Sequence, residues 1–125
     1  MNTTYMLTLD VGHPPRPPQQ VESALDTALS KVRSSSQLRV IKVIHGYGSH
    51  GPDLQLKSLK ESRGHTKVTV RNWAFQFRRH FRSVINGEDY DIFDDDTQEM
   101  REECGQLDDN DLGIGNAGIT LIWVK

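Results

Sequence analysis

A chain of 125 residues is long enough to bury one hydrophobic core and too short for two, so we expect a single domain over residues 1–125. Charged residues make up 26% of the chain and no apolar run is long enough to cross a bilayer, so no membrane partner is expected. The single cysteine, Cys104, excludes an internal disulfide, and the first residues carry no secretory signal, so we expect a cytoplasmic protein.

The net charge of -2 hides an uneven distribution of charge along the chain. Residues 57–82 carry many Lys and Arg, two His and one acid, whereas residues 88–111 are crowded with Asp and Glu. The first region favours a polyanionic partner, and the second would repel one.

The first predicted element is a strand over residues 5–11, where apolar and polar side chains alternate. A Gly-His-Pro-Pro turn ends this strand, so Asp10 lies at its carboxyl end. A helix is predicted from about Gln19, because apolar residues recur on one helical face: Val21, Ala24, Leu25, Ala28, Leu29 and Val32. The β-branched run at residues 38–44 predicts a central strand, and the three elements predict a right-handed βαβ unit with parallel strands.

The loop at residues 45–51 follows the second strand of this unit. Open α/β sheets keep their ligand sites at the carboxyl ends of the strands. We therefore expect Asp10 and His13 from the first strand and His45 from the second to converge at one edge of the sheet.

Residues 52–65 have a weak pattern and are interpreted as an insertion. A long helix is predicted after them, with an apolar stripe formed by Val70, Trp73, Ala74, Phe77, Phe81 and Val84. Another face of the same helix is predicted to carry Arg71, Arg78 and Arg82, with Arg79 and His80 beside them. Asn86-Gly87 ends the helix or forms a turn.

The acid-rich region predicts a short strand around residues 90–93, followed by a short helix over residues 97–104. Three aspartates at residues 94–96 suit the N-terminus of this helix, and Gly105 suits its C-cap. Residues 108–118 are interpreted as a polar turn region, and residues 119–124 as the last strand. The aspartates at 108–111 are interpreted as a solvated loop, because the closing Glu of a calcium loop is missing.

The letters G-x-G-x-x-G occur twice, at Gly46–Gly51 and at Gly113–Gly118. The second match precedes a strand and is interpreted as a turn, and no Gly-Lys-Ser/Thr completes a P-loop. The first match would need a helix that opens inside the motif to bind a dinucleotide, so a dinucleotide-dependent enzyme is kept as a distant alternative.

The glycines of the first match also allow the backbone to approach an anion closely. An arginine-faced helix beside such a loop favours a phosphodiester backbone over a single cofactor. Two alternatives stay open: a simple strand-to-loop turn with a hydrogen-bonded His45, and a solvated helix face paired with the acidic segment.

Three segments together resemble the signatures of the Smr (small MutS-related) domain family: Leu9–His13, Val43–Gly48 and Gly118–Val124. In that family they appear as L-D-x-H-G, H-G-x-G and a terminal G-x-T-x-V-like strand. The resemblance covers about residues 7–51, 66–85 and 113–125. It implies a small two-layer α/β sandwich of β-α-β-α-β-β order, similar to the C-terminal domain of a translation initiation factor, with additions at about 52–65 and 86–112. It also implies nucleic-acid binding and a DNA or RNA nicking endonuclease.

The resemblance assigns roles to residues that match the motifs. Asp10 matches the family's Asp and is expected to act as a base or to hold a divalent cation. His45, Gly46 and Gly48 match the H-G-x-G loop. His13 stands one residue later than the family's His, and a turn at Gly12 could bring it back toward Asp10.

The expected mechanism is hydrolysis of a phosphodiester bond, with Asp10, His13 and His45 as catalytic residues. The nucleic-acid backbone is expected to contact Gly46, Tyr47, Gly48, Arg71, Arg78, Arg79 and Arg82. No cofactor is otherwise predicted, although Mg²⁺ would suit a lone carboxylate plus substrate oxygens. A binding module for DNA or RNA without catalysis is the alternative function.

Overall fold

The computed structural model describes residues 4–47 and 57–125, with only the backbone described at 57–65. Its elements in chain order are β1 (Met6–Asp10), α1 (Pro18–Arg33), β2 (Val40–Ile44), α2 (Lys57–Gln76), β3 (Phe81–Asn86), α3 (Asp95–Cys104) and β4 (Ile119–Val124). The four strands form one mixed sheet in the order β1-β2-β4-β3. The chain is therefore a small α/β protein, as predicted, and none of its described helices is long and apolar enough to cross a membrane.

The first three elements form the predicted βαβ unit. β1 and β2 pair in parallel, with Met6 opposite Val40 and Asp10 opposite Ile44. Pro18 stands in the first turn of α1, where a missing backbone N–H costs no helical hydrogen bond. The predicted apolar face of α1 is buried against the sheet through Val21, Leu25, Ala28 and Val32.

The second helix differs from the prediction at both ends. α2 includes residues 57–65, which were interpreted as an insertion, and it ends at Gln76. A single 3-10 turn at Arg78–His80 follows, and the next residues form the edge strand β3, antiparallel to β4. Arg78, Arg79 and Arg82 therefore do not share a helix face with Arg71, and that prediction is wrong.

The acid-rich region covers the second face of the sheet. Its helix is confirmed: the Asp94 side chain caps α3 by accepting the Thr97 amide at 2.9 Å, and Gly105 is the C-cap. The strand predicted at 90–93 is absent, because a 3-10 turn at Gly87–Asp89 leads into turns there. Tyr90, Met100 and neighbouring apolar residues pack on this face, so every residue of β4 is buried.

The strand directions define two opposite edges of the sheet. At one edge, called the site edge, β1 and β2 end at Asp10 and Ile44 and β4 begins at Ile119. At the other edge β2 begins, β3 begins at Phe81 and β4 ends. β4 has six residues, so the two edges lie about 17 Å apart at roughly 3.3 Å per residue.

Candidate active site

An Asp–His pair occupies the carboxyl end of β1. The Asp10 carboxylate accepts the backbone N–H of Gly12 at 2.9 Å and of His13 at 3.1 Å. His13 Nδ1 lies 3.2 Å from each carboxylate oxygen. The turn at Gly12 thus brings His13 back to Asp10, although its sequence position is displaced from the family pattern.

The geometry of this pair fixes which imidazole nitrogen faces the carboxylate. An ionised carboxylate only accepts hydrogen bonds, so His13 Nδ1 carries the proton and donates it. In the neutral ring Nε2 then holds the lone pair, and the His13 side chain is 66% exposed. The pair therefore presents a basic nitrogen to solvent. Arg16 lies beside it, because its Nη2 donates to the Asp10 carbonyl oxygen at 3.1 Å.

His45 lies at the same edge but is buried, with 2% of its surface exposed. Its Nδ1 donates to the Gly46 carbonyl oxygen at 2.7 Å, and its Nε2 accepts the Thr120 hydroxyl at 2.9 Å. Burial lowers its pKa from 6.5 to about 4, with the nearby Arg71 and Lys67 charges acting in the same direction. The ring is thus neutral near neutral pH, and both of its nitrogens are occupied within the protein.

Arg71 continues this network away from His45. Its Nε donates to the Thr120 hydroxyl oxygen at 3.0 Å, and its Nη2 donates to the Ile119 carbonyl oxygen at 3.2 Å. Its two terminal nitrogens form a bidentate pair with Glu88 at 2.8 and 3.3 Å. The hydrogen bonds from Arg71 hold the pKa of Glu88 at about 2. Arg71 therefore anchors α2 to β4, and its contacts are not those of a free phosphate ligand.

Glycine backbones allow the loops of the site edge to pack closely. A Cβ on Gly12 would lie 2.8 Å from the backbone C and O of His45, so only glycine fits there. Gly46 adopts φ +87, which glycine tolerates and other residues rarely adopt. The backbone N–H groups of His45 and Gly46 both donate to the Gly118 carbonyl oxygen, at 2.9 and 3.1 Å.

These contacts change the role expected for the glycine loop, whose backbone was predicted to approach a phosphate. The Gly46 amide serves the connection to Gly118 and is not free to hold a phosphate, contrary to the prediction. Tyr47, the next residue, is exposed. Gly48 lies outside the described residues, as do the last residues of the G-x-G-x-x-G match.

The other arginines predicted to contact nucleic acid lie at the opposite edge of the sheet. Arg78 and Arg79 belong to the turn before β3, and Arg82 is the second residue of that strand. Arg82 lies 3.8 Å from a carboxylate oxygen of Glu103 and stacks over Trp123. With about 17 Å between the edges, these arginines do not surround the Asp–His pair.

The described residues contain no group of three or more His, Cys, Asp or Glu side chains placed to hold a metal ion. The Mg²⁺ considered from the sequence needed only the Asp10 carboxylate and substrate oxygens, and this carboxylate already accepts N–H groups of Gly12 and His13. The aspartates at 108–111 were interpreted as a solvated loop. That interpretation is wrong for Asp109 and Asp111, because both form ion pairs with the buried Lys42.

Three partners at the site edge were missed by the sequence analysis: Thr120, Glu88 and Arg16. The Thr of the terminal G-I-T signature was a usable signal, since a polar residue inside a buried strand needs a hydrogen-bond partner. Arg16, inside the Pro-rich turn, and Glu88, after Asn86-Gly87, carried no comparable signal.

The fold and the site together define a class: a small α/β domain with an exposed Asp–His pair at the carboxyl end of parallel strands. No family model, curated protein or solved structure matches the chain.

Proposed function

We propose that this protein is a nucleic-acid-binding domain of the Smr type that hydrolyses phosphodiester bonds with the pair Asp10 and His13. The observation that carries the proposal is the exposed imidazole whose Nδ1 is held by a carboxylate, at 3.2 Å, and whose Nε2 has no hydrogen-bond partner in the described part of the chain. The order β-α-β-α-β-β, with α3 added before the last strand, supports the likeness to the C-terminal domain of a translation initiation factor.

In the proposed reaction His13 is the general base. Its Nε2 takes a proton from the water that attacks phosphorus. The bond from phosphorus to the opposite oxygen breaks in line with the attack, that oxygen takes a proton from solvent, and the imidazolium returns its proton to solvent. Asp10 fixes the ring and stabilises the imidazolium, as a carboxylate does beside a catalytic histidine. Arg16, held by the Asp10 carbonyl oxygen, supplies positive charge toward the phosphoryl oxygens.

His45 has a positioning role in this proposal. It is buried and neutral, so it acts by holding Gly46 and Thr120 in place. Gly46 in turn packs on Gly118 beside the turn that carries His13. His45 therefore takes no part in the proposed proton transfer, in contrast to its predicted catalytic role.

A non-catalytic binding module is the second candidate. The observation that favours it is the position of Arg78, Arg79 and Arg82, which places these exposed cations far from Asp10. In that case the protein holds nucleic acid without cutting it.

The test is cleavage of supercoiled plasmid and of single-stranded RNA, with and without Mg²⁺, by the wild type and matched variants. We expect His13→Asn and Asp10→Asn to reduce cleavage by roughly 100-fold or more, the usual contribution of a positioned proton-transfer group. Asp96→Asn, at an exposed aspartate of α3, is the matched control and should cleave normally. Binding without cleavage by the wild type, or equal cleavage by His13→Asn, would contradict the hydrolytic mechanism.

A further inference from the structure

Basic side chains gather at the sheet edge opposite the site edge. We define the basic edge by Arg39, Arg78, Arg79, Arg82 and Lys125, all of which are exposed. The Lys125 amide donates to the His80 carbonyl oxygen at 3.0 Å, and the Val124 amide donates to the Arg39 carbonyl oxygen at 2.9 Å. Residues from the start of β2, the start of β3 and the end of β4 therefore converge in space.

The charges of the basic edge are largely uncompensated. Among the described residues, only Arg82 of this group has a carboxylate within ion-pair distance, that of Glu103 at 3.8 Å. Glu103 is the acid of residues 88–111 that reaches the basic edge. With one such acid for five cations, the basic edge attracts a polyanion during approach.

An exposed aromatic ring borders the basic edge. Phe75, in the last turn of α2, is 67% exposed. The Arg78 guanidinium lies 4.0 Å from the centre of its ring, and Arg78 Nη1 donates to the Phe75 carbonyl oxygen at 2.7 Å. Arg78 is thereby fixed in a stack on one face of the ring. Aromatic rings and guanidinium planes of this kind are surfaces on which unpaired bases stack.

We propose that the basic edge and Phe75 form a second contact surface for single-stranded nucleic acid, remote from the Asp10–His13 pair. An unpaired base stacks on Phe75 and Arg78, and Arg39, Arg79 and Lys125 contact the phosphates that follow. The class of partner rests on the proposed function, but the surface is defined by its own contacts. A separation of about 17 Å from the site edge corresponds to about five nucleotides at roughly 3.4 Å each.

The exposed aromatic ring favours nucleic acid over another acidic partner. The acid-rich region of a second copy of the chain would also satisfy the charges of the basic edge. It would leave the exposed Phe75 ring, stacked with Arg78, without a partner. Self-association is the competing outcome of the test.

The test measures binding of a fluorescent single-stranded oligonucleotide of about 12 nucleotides, as DNA and as RNA, by anisotropy over a series of salt concentrations. The His13→Asn background keeps the probe intact. We expect Phe75→Ala to weaken binding by about 5- to 100-fold, the range found for loss of one stacked base, and Phe75→Trp to restore it. Phe93→Ala is the matched control, because Phe93 is 82% exposed and lies in the acid-rich region.

Charge variants test the phosphate contacts separately. The double variant Arg39→Ala/Arg79→Ala should lower the slope of log affinity against log salt by about 1.4, since each phosphate contact to a single strand contributes about 0.7. The double variant Arg39→Lys/Arg79→Lys should keep the slope while losing part of the affinity. Both changes are at exposed residues, and thermal unfolding checks that the fold is retained.

The outcomes separate this inference from the hydrolytic mechanism. Equal binding by wild type, Phe75→Ala and the alanine double variant overturns the inference, even if His13→Asn abolishes cleavage. Weakened binding by these variants supports it, even if the wild type never cleaves. Salt-dependent dimers formed without nucleic acid and lost in the alanine double variant would assign the surface to a second copy. Absence of binding by the wild type would overturn the inference, whereas plasmid cleavage decides the hydrolytic mechanism separately.

Discussion

Acid is expected to destabilise the protein through His45. The imidazole is 2% exposed, and its pKa in the folded state is about 4, against 6.5 for an ordinary histidine. The unfolded chain therefore binds a proton below pH 6.5, whereas the folded protein does so only near pH 4. The stabilisation is complete above pH 6.5 and is lost progressively as the pH falls toward 4. The pKa difference corresponds to a loss of about 2 kcal/mol by about pH 5 and about 3 kcal/mol by about pH 4.

Urea unfolding across this pH range measures the effect directly. Trp73 and Trp123 are both buried, so their fluorescence reports unfolding. His45→Gln is the comparison, because an amide can occupy both hydrogen-bond positions without titrating. We expect the wild type to lose about 3 kcal/mol more than this variant between about pH 8 and about pH 4. Equal losses in the two proteins, or a proton titration of the folded His45 ring near pH 6.5 in NMR spectra, would refute the buried neutral assignment.

Three further predictions concern the same edge. Gly12→Ala should destabilise the fold by about 2 kcal/mol in urea unfolding, because its Cβ would lie 2.8 Å from the His45 backbone; an unchanged midpoint would contradict this. Thr120→Val should cost about 1–3 kcal/mol, since it leaves His45 Nε2 and one donor of Arg71 unpaired, and Thr120→Ser should recover most of it. Glu88→Gln should cost only about 1 kcal/mol, because that carboxylate is 42% exposed and screened by solvent. Its difference from wild type should be complete above pH 4.5, shrink as the pH falls toward 2, and appear in acid titrations of stability.

The elements whose apolar residues recur with a single helix or strand period were predictable from the sequence. The βαβ unit, α3 and β4 all lie where the pattern indicated. The prediction failed at β3 because Phe81 and Val84 are three residues apart, as on a helix face, and both pack on the core beneath α1 and α2. The strand has a register shift between Phe81 and Ser83. A bulge of this kind places residues with an odd spacing on one face of a sheet, so the strand imitated a helical period.

The candidate site was predictable in position but not in the state of its side chains. Convergence of Asp10, His13 and His45 followed from parallel strands ending at the same edge, and the structure brings them together. Burial of His45 depends on Thr120 and Arg71, which are distant in the sequence. A histidine after an apolar strand looks the same in a sequence whether it faces substrate or the core.

The acid-rich region between β3 and β4 contributes to the fold itself. Its first turn supplies Glu88, whose carboxylate accepts hydrogen bonds from both terminal nitrogens of Arg71. Its aspartates neutralise Lys42, whose side chain is buried in the central strand β2, and one of them, Asp109, also accepts the Tyr90 hydroxyl at 2.8 Å. Because an unpaired buried charge is costly, the ammonium group of Lys42 requires these aspartates as partners. The same region covers the apolar second face of the sheet, so the strands that position Asp10 and His45 depend on its packing.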